Sequence, residues 1–530
     1  MNQPDRTARA ASMVATIVAS EWGQRLLLAM LSVAAFAAGI TGDFVFDDKN
    51  AIVGHPVVQG IAPLFDAFKL SFWGESLSSI PPSYRPVATL SFAIDHRLFG
   101  GGPLAFHLTS LLCHVALVLA GWTFARRCLP PAAAWLAMAF FAVMPTHAET
   151  AVSLVGRADT LAALFSVLAL LALSPTVVDG EVTPWPRLLL AMLTFAAGLL
   201  CKESVAVLPV IVGLFAEHRR RRADRPPSRS RLHAPTTALL LVLAAYLMFR
   251  LKLQPGAFSY VAPTDVVAGT AWWVKAAYGI ELLARYARLV VVPVGLCTGR
   301  TYAEVARPAG VSPALLIGAA LFAVAGWAAW RSYRRGGFPF VAAAVVAWTV
   351  VAGVIFAMPE SMADRFLLLP SFFICLALGP WLLLAWQRGT WCRALLLAAV
   401  SAEVVLSNVQ AATWSDEGHL LAHAVRACPS SVHNHFRYAE YLSRTGQVDE
   451  AVWHYAVFTS GRHAFPYAWS HPAAAEEASV PVDQRLRDVH RLLRSDLDEA
   501  TWHARFVAYL RSLGRPREAR RAASLRGSAP

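Results

Sequence analysis

Charge is scarce in this sequence. Only 15% of its 530 residues are Asp, Glu, Lys or Arg, against 56% that are hydrophobic. A soluble domain needs more polar surface than that, so a soluble globular body is excluded. Organised cysteine is lacking as well. The seven cysteines form no Cys-x-x-Cys pair, and Cys113, Cys201 and Cys375 lie in or beside apolar runs. The pattern predicts neither a zinc site nor a disulfide framework. No inverted repeat and no pair of broken helices at mid-membrane depth is visible, which weighs against a transporter or flippase. The net charge of +13 is concentrated in short runs such as "HRRRRADR" at 218–225. Between apolar spans such a run marks the cytoplasmic side rather than a nucleic-acid surface, and no nucleic-acid partner is expected.

What the sequence has in abundance is blocks of roughly 15–20 apolar residues, the length a helix needs to cross about 30 Å of hydrocarbon. They predict an all-α, polytopic membrane helix bundle of about eleven spans, near 24–41, 105–124, 131–146, 157–173, 187–200, 204–217, 235–251, 311–330, 338–357, 366–386 and 393–409. Segment 271–297 differs: Lys275, Glu281, Arg285 and Arg288 form a polar stripe that suits a helix lying in the interface. Basic residues at 6–9, 126–127, 219–231, 331–335 and 388–393 then fall on one side, the cytoplasmic one. The resulting organisation is a cytoplasmic tail at 1–23, a transmembrane domain at 24–409 with its first outer loop at 42–104, and an extracytoplasmic helical domain at 410–530. A cleaved signal peptide is the rival reading of 20–42. Retention is favoured because the run leads straight into a carboxylate motif.

That orientation collects ionisable residues on the outer face, where their cost near hydrocarbon marks them as functional candidates. The first loop holds Asp47 and Asp48 in "FVFDDKNAI", then Arg85 in "SYRP". "PTHAETAVSLVGRADTLAALF" brings His147, Glu149, Arg157 and Asp159. "CKES" adds Lys202 and Glu203, and "PESMADRFLLLPS" adds Glu360, Asp364 and Arg365. For Arg157, Lys202 or Arg365 taken singly, pairing at the headgroup boundary is as good a reading as a substrate contact. For Asp159, Glu203 and Glu360, service as partner to a nearby cation is the better one. His147 and Glu149 are two residues apart, and two ligands do not make a metal site. As a group the cations suit the phosphate of a lipid-linked donor, and a carboxylate among them suits removal of a proton from an attacking hydroxyl. The residues demand no cofactor, and dependence on a divalent cation is left open.

"FVFDDKNAI", "SYRP", "PTHAETAV" with "GRADTLAALF", "KES" and "DRFLLLPS", in that order, resemble the transmembrane and TPR-repeat-containing O-mannosyltransferases of the GT-C superfamily. The resemblance implies inverting transfer of a sugar, mannose in that family, from a polyprenyl-phosphate donor to an extracytoplasmic protein or glycan acceptor. It implies a catalytic acid in the first outer loop, which falls on Asp47 with Asp48 as runner-up. It also implies donor-phosphate contacts at Arg85, Arg157, Lys202 and Arg365, with His147, Glu149, Asp159 and Glu203 in support. An Ala/Arg-rich composition points to a bacterial inner membrane.

Beyond residue 410 the apolar runs end. "YAEYLSRTGQVDEAVWHYAVF" carries Gly446, Glu450, Ala451 and Tyr455, and "YLRSLGRPREARRAA" repeats the pattern at Gly514, Glu518 and Ala519. The two glycines are 68 positions apart, twice the roughly 34-residue tetratricopeptide period. This tail is read either as an acceptor-binding surface or as a plain helical cap. A membrane scaffold that displays such helices is the third functional class, beside the transferase and the flippase.

Overall fold

The computed structural model describes residues 20–78, 83–222, 228–255, 270–300, 311–352 and 362–460, with a few positions beyond 500. Glu360, the basic residues of the tail at 1–19, and the second repeat signature at Gly514, Glu518 and Ala519 lie outside the described residues. Those described form helices and loops without a β-strand.

The chain opens with α1 (Glu21–Phe36), capped by the Ser20 hydroxyl, which accepts from the Gly23 amide. After the first loop come α2 (Pro86–Phe99), α3 (Pro103–Cys128) and α4 (Pro131–Ala142), each started by a proline whose missing N–H is not needed there. Then follow α5 (Arg157–Ala172), α6 (Trp185–Leu199), α7 (Leu208–Arg220) and α8 (Arg229–Leu253). The second half has α9 (Trp272–Val291), α10 (Pro313–Arg335), α11 (Phe340–Val351), α12 (Leu368–Gln387) and α13 (Thr390–Ala412). The tail adds α14 (Glu417–Ala427), α15 (Val432–Arg444) and α16 (Val448–Ser460).

Six helical segments among the described residues are long and apolar enough to cross a membrane: Glu21–Gly39, Pro103–Cys128, Arg229–Leu253, Pro313–Arg335, Asp364–Gln387 and Thr390–Ala412. The bent pair Pro131–Ala142 and Pro145–Ala151 makes a seventh if taken as one span. The other four expected spans are shorter helices of 12 to 16 residues, α5, α6, α7 and α11. By length and composition, then, six or seven of the eleven apolar runs are full crossings among the described residues. Helix α9 is absent from the set of long apolar helices, but its polar stripe does not all face outward: Glu281 is buried, paired with Arg285 at 2.9 Å and bonded by the Ser312 hydroxyl.

Lipid offers apolar side chains no gain over one another, so helices in a bilayer associate through close approach and polar contacts. Small residues provide the approach here. A methyl on Gly379 of α12 would meet the Ala133 carbonyl of α4 at 2.9 Å, and one on Gly121 of α3 would meet Met138 and Phe372. The bundle core is built from Trp122, Phe124, Phe141, Phe215 and Phe372, while Trp327, Trp381 and Trp391 lie exposed on the rim.

Pro145 explains the 56° bend. The break frees the Ala142 and Val143 carbonyls, and both are satisfied from outside: His114 Nε2 donates to Ala142 at 3.2 Å and Ser407 Oγ to Val143 at 2.6 Å. Broken backbone at membrane depth is tolerated on such terms. After the bend, Gly156 lets the chain re-enter as α5, because a methyl there would sit 2.1 Å from the Glu149 carbonyl oxygen. Gly156→Ala is expected to cost about 1–3 kcal/mol through this overlap. A lowered unfolding temperature in detergent would record it, and an unchanged one would show that the re-entry is not tight.

One expectation about cysteine is corrected. Cys297, in the loop after α9, and Cys428, at the end of α14, form a disulfide across 131 positions. Isolated cysteines without a local spacing pattern give no hint of such a pairing. The bond ties the tail to the 292–300 loop, where Ser431 Oγ also donates to the Gly299 carbonyl and Asn434 Nδ2 to that of Thr298.

Candidate active site

The first loop is organised by its acids. Both oxygens of Asp48 are engaged: Oδ2 accepts from the Val45 amide at 3.2 Å and Oδ1 from the Val155 amide at 3.0 Å. Asp48 is fully buried, so it pins the loop against the re-entrant turn that precedes α5. Burial pushes its carboxyl up to about 7, with Asp47 adding to the rise, against the two amides and Arg157 that pull it down.

Asp47 has the opposite character. It is half-buried, and among the described residues its side chain has no hydrogen-bond partner. The residue before it, Phe46, has φ +52°, the only positive φ at a non-glycine position among the described residues. Bulky residues rarely adopt that conformation, and strain of this kind collects at functional positions. Burial raises the Asp47 carboxyl, and Arg437, Arg365 and Arg85 oppose the rise, in that order, while Glu149 adds to it.

The cations differ in how committed they are. Lys202 Nζ is 2.5 Å from Asp159, and both are buried. Burial lowers the Lys202 ammonium to about 8, Asp159 opposes that, and the nearby charges of Arg85 and Arg365 contribute to it. Arg365 pairs with Glu149, which also accepts from the Arg365 amide at 3.0 Å. Arg85 lies over the Phe72 ring at 4.7 Å, and its buried Nε has no partner among the described residues. Glu203 serves Arg250 at 3.2 Å, and Arg250 in turn lies over Tyr84. A cleft lined by Asp159, Ser204, Arg365, Phe366, Leu369 and Pro370 opens between these pairs.

Arg157, expected among the phosphate cations, has a different place. It is completely buried, paired with Asp95 at 2.6 Å, bonded to Ser110 Oγ at 2.9 Å and to the Phe106 carbonyl at 2.6 Å, and lies over Phe92. Its donors are spent inside the protein, behind Asp48. His147 and Glu149 diverge as well: His147 Nε2 donates to Ser371 Oγ at 2.9 Å, while Glu149 faces Arg365. Among the described residues no group of three His, Cys, Asp or Glu side chains could hold a metal.

Besides Arg250, two further cations were not anticipated. Arg300 pairs with Asp364 at 2.5 Å, both buried, next to Arg365 in sequence. Arg437, on α15, lies 5.4 Å from the Phe46 ring centroid. Nothing in "HFRYAEYL" marks it as a neighbour of the first loop.

Residues 81–249 match the family described as dolichyl-phosphate-mannose-protein mannosyltransferase. The chain is 25% identical over 447 residues to a protein O-mannosyl-transferase of Caenorhabditis elegans, F38B6.6, covering 81% of this chain and 61% of that one. It is 36% identical over 200 residues to the human protein O-mannosyl-transferase TMTC4, covering 34% and 27%. It thus spans less than two thirds of the length of these relatives. Among solved structures it is similar to the Archaeoglobus fulgidus oligosaccharyltransferase tethered with an acceptor peptide, at 13% identity, 75% and 56% coverage and a TM-score of 0.43. The resemblance to O-mannosyltransferases read from the motifs is borne out.

Proposed function

We propose that this integral membrane protein is a glycosyltransferase that moves a sugar, with mannose the first candidate, from a polyprenyl-phosphate donor to an extracytoplasmic hydroxyl acceptor. Asp47 takes the proton of the attacking hydroxyl. The acceptor oxygen bonds to the anomeric carbon as the bond to the phosphate oxygen breaks, with inversion, and the lipid phosphate leaves as an anion. Arg85, Lys202 and Arg365 hold that phosphate, while Asp159 and Glu149 keep two of the cations in place until the donor competes for them. Asp48 positions the loop.

The observation that carries this reading is the contrast within the acid pair. One carboxylate is consumed by backbone amides, and the other is unengaged beside a strained residue, in the combined field of Arg85 and Arg365. The names of the relatives support mannose and a protein acceptor. The Cys297–Cys428 bond requires an oxidising compartment, which supports an extracytoplasmic tail and an outward-facing site.

The test is to offer the protein, in lipid nanodiscs, a panel of radiolabelled polyprenyl-phosphate sugars and to follow release of polyprenyl phosphate. Arg85→Ala is expected to raise the donor KM by roughly tenfold to a hundredfold, the loss of one charge-assisted contact. If no donor is consumed by folded protein, the transferase reading fails.

A further inference from the structure

We propose that Arg437, on the tail rather than in the membrane domain, is a positioning residue for the catalytic loop: stacked on Phe46, it holds the backbone from which Asp47 projects. This rests on the reading of Asp47 as the base.

The tail grips the first loop at three points. The Asp43 amide donates to the Ser415 carbonyl at 2.8 Å, ahead of the acids. Lys49 Nζ is 2.5 Å from Glu417, just after them, and Glu417 also holds Arg444 of α15 at 3.3 Å. Between these two ends, the Arg437 guanidinium covers the ring of Phe46, the residue at φ +52°. A left-handed conformation at a bulky residue costs energy and persists only where surroundings impose it. A cation over an aromatic face is attracted to it and favours the ring position, and so the backbone conformation, that keeps the two together.

Helix α15 is itself fixed. The Cys297–Cys428 disulfide precedes it, and Ser431 and Asn434 in its first turn bond to the 298–299 backbone. Arg437 is exposed, and Glu440, one turn on, approaches it only to 4.0 Å, so the guanidinium is not drawn away from the loop. The charged groups around Asp47 are then Asp48 beside it, Glu149 from the re-entrant turn, Arg85 at the start of α2, Arg365 before α12, and Arg437 from the tail. The tail is on this account part of the catalytic unit, whatever acceptor it also meets.

The test compares Arg437→Gln, Arg437→Lys and Phe46→Leu in the full chain. Hydrogen exchange of the 43–54 backbone is expected to quicken about tenfold in Arg437→Gln and Phe46→Leu, and less in Arg437→Lys. In transfer assays, Arg437→Gln is expected to lower kcat with the donor KM unchanged. Removing a cation that favours the carboxylate also moves the acid limb of the rate–pH profile upward by about one pH unit, and Lys restores it. Wild-type exchange together with a wild-type profile in Arg437→Gln overturns the proposal. So does a raised donor KM with unchanged exchange, which would make Arg437 a donor contact. If the wild-type protein consumes no donor, the base assignment fails, and the exchange data alone still decide whether Arg437 holds the loop.

Discussion

Asp47→Asn is expected to reduce sugar transfer by about 10²- to 10⁴-fold, the usual worth of a general base, with the protein still folded and still binding donor. The substitution keeps size and shape, and the Asp47 side chain has no hydrogen-bond partner among the described residues to lose. Asp48→Asn provides the contrast. An amide nitrogen must there face either the Val45 or the Val155 N–H, so one anchor becomes a donor–donor clash and the loop loosens. That variant is expected to lose thermal stability along with activity. Folded and fully active Asp47→Asn would remove the enzyme reading.

The pH dependence has a definite sign. The base works ionised, and burial raises the Asp47 carboxyl above its ordinary range. Activity therefore falls on the acid side as pH drops through that raised value, above the unperturbed aspartate pKa of about 3.9. Stability follows the opposite course. Carboxyls raised on folding, Asp47 and Asp48, favour the folded state fully at low pH, and that contribution is lost as pH rises through their folded values, about 7 for Asp48.

Arg157→Leu is expected to destabilise the fold by about 3–5 kcal/mol, because it strands a buried carboxylate. Asp95 would keep only Thr109 Oγ1, at 2.9 Å, and Ser110 and the Phe106 carbonyl would lose their donors. The double variant Arg157→Leu with Asp95→Leu should recover much of the loss, since a paired removal leaves no uncompensated charge. Thermal unfolding of the wild type, Arg157→Leu, Asp95→Leu and the double variant in one detergent gives the coupling. If Arg157→Leu unfolds like the wild type and loses only donor affinity, Arg157 belongs with Arg85 after all.

The sequence by itself determined the class and the parts. Apolar run length decides where helices form in a bilayer, so the positions of α1, α3, α8, α10, α12 and α13 were legible, whereas the run 131–146, read as one span, is bent at Pro145. The pair Asp47–Asp48 stood out because carboxylates at the end of a span are costly. Only the tertiary structure divided their labour, through two backbone amides, one of them 107 positions away. Only it showed Arg157 spent on Asp95, Arg437 brought over Phe46, and Cys297 joined to Cys428. Hydropathy is a local property and can be summed along a window. The partner of a charge or a thiol depends on how helices are rotated and how closely they approach. That was set here by a few glycines and alanines whose effect appears only once the helices meet.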